Sequence, residues 1–141
     1  VERLQISDAE LNELIDFKKT EIKEREQLLR GSKPPLDLVN KTVILVDDGL
    51  ATGATMLTAI RSIKKLHPAK IIAAIPVASR EAMEMVQKEA DEAICLLVPD
   101  FFYSVSVWYS DFRQTTDGEV INLLNRSTEP LSDTYKKSIP I

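Results

Sequence analysis

A single cysteine and a single histidine in 141 residues exclude an internal disulfide and leave no His/Cys cluster of the kind that holds zinc. Cys95 lies in the apolar run Ala93-Ile94-Cys95-Leu96-Leu97-Val98 and reads as a buried structural thiol; a lone thiol also fits a reducing compartment. His67 precedes Pro68 at a helix end, where it caps the helix dipole rather than catalyses. The chain lacks a basic excess: its formal net charge is -4 and its pI about 5.1, which argues against general affinity for DNA or RNA. It also lacks any apolar run near the roughly 20 residues that span a bilayer, and its N-terminus lacks a basic-then-apolar signal pattern. The expectation is a cytoplasmic protein with no membrane and no nucleic acid among its partners. Neither Gly-Lys-Ser/Thr nor G-x-G-x-x-G occurs, so a P-loop and the dinucleotide fingerprint are both excluded. No internal repeat is present.

What is there is globular: 44% of residues are apolar and 28% charged, and the length suits one core. Ser7-Asp8-Ala9-Glu10 is a capping box and predicts a helix, with Leu11, Leu14, Ile15, Ile22 and Leu29 as a partial apolar stripe and a solvated, mixed-charge remainder. Gly31 is placed to end this helix in a left-handed conformation, and Ser32-Lys33-Pro34-Pro35 forbids continuation. From Lys41 the period changes. Thr42 to Val46, Ile71 to Val77 and Glu92 to Val98 are runs apolar at nearly every position, the pattern of strands covered on both faces.

Helical stretches from Ala54 to Leu66 and from Arg80 to Ala90 separate these strands, which predicts an α/β fold with a parallel sheet and right-handed crossovers. Ligands of such sheets bind beyond the carboxyl ends of the strands. Thr116-Asp117-Gly118-Glu119 is a second capping box, opening a short helix. Residues 1–125 are expected to form one domain, with helix and linker over 1–40 and the core over 41–125. Residues 126–141 read as a flexible polar tail.

The first strand runs directly into Asp47-Asp48-Gly49-Leu50-Ala51-Thr52-Gly53-Ala54-Thr55, and a helix follows without a gap. Adjacent carboxylates at a strand end can accept hydrogen bonds from vicinal ribose hydroxyls, and an ionised pair attracts a divalent cation through bound water. Small residues let backbone N–H groups close around a phosphate at a helix N-terminus, where the field favours negative charge. Thr52 and Thr55 add hydroxyl donors, and Gly53 permits a close approach that a side chain would block. Each fragment alone is an ordinary turn or cap; together they define a candidate site for a ribose 5-phosphate.

This segment, Val43 to Thr55, resembles the signature of type I phosphoribosyltransferases: four apolar residues, two acids, then small residues and threonines. The resemblance implies a phosphoribosyltransferase-like, Rossmann-like core. It implies that Asp47 and Asp48 hold the ribose hydroxyls and act as the catalytic pair, that Ala51, Thr52, Gly53, Ala54 and Thr55 wrap the 5-phosphate, and that Mg2+ arrives with the pyrophosphate. Ligands would be phosphoribosyl pyrophosphate or a nucleotide containing ribose 5-phosphate, and the reaction a transfer of ribose 5-phosphate to or from a nitrogenous base. Arg30 to Pro35 and Trp108 to Asp117 resemble a narrower group of phosphoribosyltransferases, some fused to hydrolase domains.

Two departures bear on the carry-over. Ala51 stands where several purine-using relatives have an acid, so it is no general base. The family normally carries a strand and a glycine-containing pyrophosphate loop ahead of this region, whereas here a charged helix and linker precede Lys41. The expectation is therefore a form truncated at the N-terminus, a fragment, or a divergent form lacking half the site. The alternative reading is a non-catalytic phosphoribosyl-binding module or an inactive remnant, and three strands with an apolar edge imply a homodimer.

Among the remaining residues, Tyr103 and Trp108 are candidates for stacking on a base, against the plainer role of packing over the sheet. Arg80 is placed to meet pyrophosphate or to be an ordinary surface arginine; Asp111 and Arg113 are most simply solvated charges.

Overall fold

A computed structural model describes residues 7–126. Contacts divide them into two compact units, one over Pro35–Arg113 and one made of residues 7–34 with 114–126. The linker expected near Pro34-Pro35 straddles that division.

In the second of these units, helix α1 spans Asp8–Arg30. Its capping box forms as expected: the Ser7 hydroxyl accepts the Glu10 N–H at 3.3 Å and the Glu10 carboxylate accepts the Ser7 N–H at 2.9 Å. Gly31 ends the helix at φ 58° and ψ -129°, outside the left-handed helical well expected for it but still in a region open mainly to glycine. A second helix of this unit spans Asp117–Arg126 behind its own box, in which Glu119 accepts the Thr116 N–H at 2.8 Å. Arg25 of α1 pairs with Asp117 of that helix at 3.0 Å. The polar tail expected over 126–141 begins one residue too early, since Arg126 is helical; residues 127–141 lie outside the described residues.

The unit over 35–113 is the expected alternation: β1 (Thr42–Val46), α2 (Ala54–Lys64), β2 (Lys70–Val77), α3 (Arg80–Glu89) and β3 (Glu92–Leu97). The sheet is parallel in the order β1-β2-β3, with Val43 opposite Ile71 and Ala73 opposite Ala93. Two right-handed crossovers that advance in the same direction put both helices on one face. That face holds the core: Met56 and Ile60 of α2, Ala82, Met83 and Val86 of α3, and Ile71, Ala73 and Ile75 of β2. An apolar stripe on each helix meets every second residue of β2, whose burial alternates along its length.

Coverage of the strands on both faces, expected from their unbroken apolar sequence, is not what the structure has. Ile44 and Val46 of β1 and Ile94 and Leu96 of β3 stay exposed, Leu96 at 82%. The apolar run reports strand formation faithfully, but two helices on one face cover only alternate side chains. Cys95 points to the covered face, half-buried against the core, with its thiol donating to the Leu97 carbonyl at 3.2 Å. Among the described residues no helix is long and apolar enough to cross a membrane.

Candidate functional site

At the carboxyl end of β1 the chain leaves the sheet through Asp47-Asp48-Gly49 and re-enters an edge contact at Leu50, which bridges to Ala78 beyond β2. Leu50 is 2% exposed and acts as an apolar plug under the loop. Its N–H donates to the Val77 carbonyl at 2.9 Å, and its own carbonyl accepts the Ser79 N–H at 2.9 Å. The loop is thereby an extension of the sheet rather than a free turn. Gly49 is required by space: a Cβ there would lie 2.7 Å from a Val105 methyl and 3.0 Å from the Val77 carbonyl oxygen.

Gly53 is required by both conformation and space. It opens α2 at φ 73° and ψ -2°, a left-handed conformation, and a Cβ there would stand 3.3 Å from that of Ala82. As a glycine cap it offers the helix no side-chain acceptor. Among the described residues the first-turn N–H groups of α2 meet only a long contact of 3.4 Å, from the Ala54 N–H to the Thr52 hydroxyl. This is the arrangement that suits an anion.

A cavity of about 280 Å³ lies over this loop, lined by Asp47 through Met56 and by Val105. All the loop residues singled out in the sequence line it: Asp47, Asp48, Ala51, Thr52, Gly53, Ala54 and Thr55. The Asp47 carboxylate accepts the Asp48 N–H at 3.0 Å, which fixes its rotamer while a second oxygen stays available; the Asp48 side chain is exposed. Among the described residues no group of three or more His, Cys, Asp or Glu side chains can cage a metal ion. Two hard carboxylates fall short of a dedicated metal site but suit Mg2+, which keeps its waters and binds through phosphates.

A second cavity of about 340 Å³ opens beyond the ends of β2 and β3, lined by Ser79, Arg80, Glu81 and residues 99–103. Tyr103 lines it while staying 90% exposed, and Arg80 reaches Asp100 at 3.1 Å across its rim. Trp108 lines neither cavity; it closes a 3-10 turn over Val105–Trp108 and is 40% exposed. His67 sits at the opposite end of the sheet, its carbonyl accepting from the Asn40 N–H ahead of β1. Asp111 turns back on its own segment, accepting the Arg113 N–H at 3.1 Å.

Two residues of the site escape the sequence reading. The Ser79 hydroxyl caps α3 by accepting the Ala82 N–H at 3.2 Å and donates to the Ala51 carbonyl at 2.8 Å. Its signal, a serine between a strand and a helix, is that of a cap and says nothing about a loop 28 residues away. Tyr109 donates its hydroxyl to the Asp48 carbonyl at 2.6 Å and packs on Phe112 with ring centroids 5.3 Å apart. Nothing local in the sequence marks that contact across 61 positions.

Burial, then the carboxylates of Asp48 and Asp47, push the Tyr109 phenol above its ordinary value of 10.0. A raised pKa means that the native state holds this proton more tightly than the unfolded chain. The resulting stabilisation is complete below the ordinary tyrosine pKa and is lost as pH rises through the raised one. Tyr109→Phe is expected to remove a component that titrates above the ordinary tyrosine value from the tyrosinate absorbance titration and to destabilise the fold by about 1 kcal/mol, the worth of one hydrogen bond.

Residues 8–113 match the phosphoribosyl transferase domain model, and the chain belongs to the type I phosphoribosyltransferase family. The "Putative phosphoribosyl transferase Rv0571c" of Mycobacterium tuberculosis strain H37Rv is 32% identical over 76% of this chain and 24% of its own length. The uracil phosphoribosyltransferase of Mycoplasma genitalium is 45% identical over 40% of this chain and 27% of its own length. The crystal structure of TT1426 from Thermus thermophilus superposes with a TM-score of 0.76 at 33% identity, covering 87% of this chain and 59% of that one. The chain thus spans about a quarter of the length of the curated relatives it matches.

Proposed function

We propose that the cavity over Asp47–Thr55 binds the ribose 5-phosphate of phosphoribosyl pyrophosphate, and that the protein transfers this group to or from a nitrogenous base. The observation that carries the reading is the start of α2: a left-handed, buried glycine, no capping side chain, outward first-turn N–H groups, and two carboxylates one loop away. In this reading the 5-phosphate sits on the α2 N-terminus, with Thr52 and Thr55 hydroxyls as further donors. Asp47 and Asp48 accept hydrogen bonds from the 2- and 3-hydroxyls and stabilise positive charge as the ribose becomes cation-like. Mg2+ bound with the pyrophosphate would neutralise the leaving group, and the two aspartates would reach it through water.

The second cavity is the proposed place for the base. Tyr103 offers a ring face there, and the Arg80–Asp100 pair offers a donor beside an acceptor. Cytoplasmic location and a homodimer complete the proposal, the latter checked by sedimentation.

One observation favours a second reading, a module that binds a ribose 5-phosphate without catalysis. Among the described residues the first cavity is lined by two acids, small residues, Leu50, Met56 and Val105, with no lysine or arginine to meet a pyrophosphate. The two readings part in one assay, in which the chain is incubated with phosphoribosyl pyrophosphate, Mg2+ and a panel of nucleobases. Base-dependent pyrophosphate release supports the transferase; binding without release with any base supports the module.

A further inference from the structure

We propose that Ser79 is a positioning residue for the phosphate loop, setting two successive peptide planes so that the Ala51 and Thr52 N–H groups are aimed at the 5-phosphate. This rests on the functional reading above and adds to it a residue outside the signature segment. Ser79 is 7% exposed, the one buried polar residue among those described. Its backbone N–H donates to the Leu50 carbonyl at 2.9 Å, and its hydroxyl donates to the Ala51 carbonyl at 2.8 Å.

A trans peptide is planar, with its C=O and N–H pointing in opposite directions. Holding the Leu50 carbonyl toward Ser79 therefore turns the Ala51 N–H away from it. Holding the Ala51 carbonyl does the same for the Thr52 N–H. Among the described residues no protein group accepts either of these N–H groups. Both belong to residues lining the first cavity.

The hydroxyl has no choice of direction. The Ala82 N–H, at 3.2 Å, occupies a lone pair of the Ser79 oxygen, so the serine proton is the one left for Ala51. The α3 cap and the loop are thus locked by the same atom. Ala82, whose N–H is capped, is also the residue whose Cβ backs Gly53. The loop thus meets the start of α3 at Ala51 and again at Gly53, and the cap orients a donor that no side chain of the signature controls.

Removing the hydroxyl frees the Ala51 carbonyl to turn, and the Thr52 N–H with it, while the backbone bond from Ser79 to the Leu50 carbonyl keeps the Ala51 N–H in place. Calorimetric titration with ribose 5-phosphate is expected to show about tenfold weaker binding for Ser79→Ala, the loss of one well-oriented hydrogen bond. Ser79→Gly, which a helix cap tolerates, is expected to weaken binding to the same extent while staying folded. Val86→Ala serves as the control for stability alone. Val86 is fully buried on α3 and touches no cavity described above, so its variant should melt lower yet bind within about twofold of wild type.

In amide NMR spectra, the Ala51 and Thr52 resonances should both shift on ribose 5-phosphate binding in wild type, and the Thr52 shift should be much smaller in Ser79→Gly. Wild-type affinity in both serine variants, or an equal loss in Val86→Ala, overturns this inference alone. A folded wild type that binds no ribose 5-phosphate overturns the functional reading and this inference with it.

Discussion

Gly53→Val is expected to abolish ribose 5-phosphate binding and to lower the stability of the unit over 35–113 by about 2–4 kcal/mol. Two costs combine. At φ 73° a β-branched residue is strained, whereas glycine is not. The added carbon would also start 3.3 Å from the Ala82 Cβ, in a wall whose backbone is fixed by the Ser79 cap. Ala82 cannot withdraw without uncapping α3, so the loop must move instead. The α2 N-terminus then loses the outward presentation of its N–H groups, and the added side chain occupies the approach to them.

Gly53→Ala carries the same strain with less bulk and should retain weak binding. Gly31→Ala provides the contrast: it too places a side chain at positive φ, but nothing lies within 4 Å and α1 is remote from the signature in sequence. It should destabilise while leaving ligand affinity unchanged. Circular dichroism melts beside calorimetric titrations check all three.

Asp47→Asn/Asp48→Asn is expected to do the opposite, leaving the melting temperature nearly unchanged and weakening ribose 5-phosphate binding by about 100-fold. Hydrogen bonds to charged groups are worth roughly 1.5–3 kcal/mol each, so the loss of both charges toward two hydroxyls is a factor of that order or larger. Folding is spared because Asp48 is exposed and the one internal role of Asp47, accepting the Asp48 N–H at 3.0 Å, is one an asparagine oxygen can keep. Repulsion between two adjacent anions is also relieved, which offsets any small cost. Equal binding by the double variant would place the ribose elsewhere.

The contrast between these variants follows what the sequence can and cannot say. Local signals transferred well. The capping boxes at Ser7 and Thr116 formed with their expected partners, and the apolar runs became three parallel strands in chain order. The loop Asp47–Thr55 came out as a cavity lining because its parts are contiguous: strand end, acids, small residues and helix start need no distant partner to be placed. Coverage of the sheet was misjudged at Ile44, Val46, Ile94 and Leu96, since hydrophobicity reports the tendency to be buried and not the supply of elements to do it. Ser79 and Tyr109 were missed for a different reason. Their hydrogen bonds to Ala51 and Asp48 cross 28 and 61 positions, and each partner is a backbone carbonyl, which every residue has and no sequence pattern marks.

The most direct test of the central claim is calorimetric titration of the wild-type chain with phosphoribosyl pyrophosphate, with and without Mg2+. A single site is expected, with an affinity that rises when Mg2+ is present, since the ion screens the pyrophosphate from Asp47 and Asp48. A folded wild-type chain that takes up neither phosphoribosyl pyrophosphate nor ribose 5-phosphate, under either condition, would contradict it.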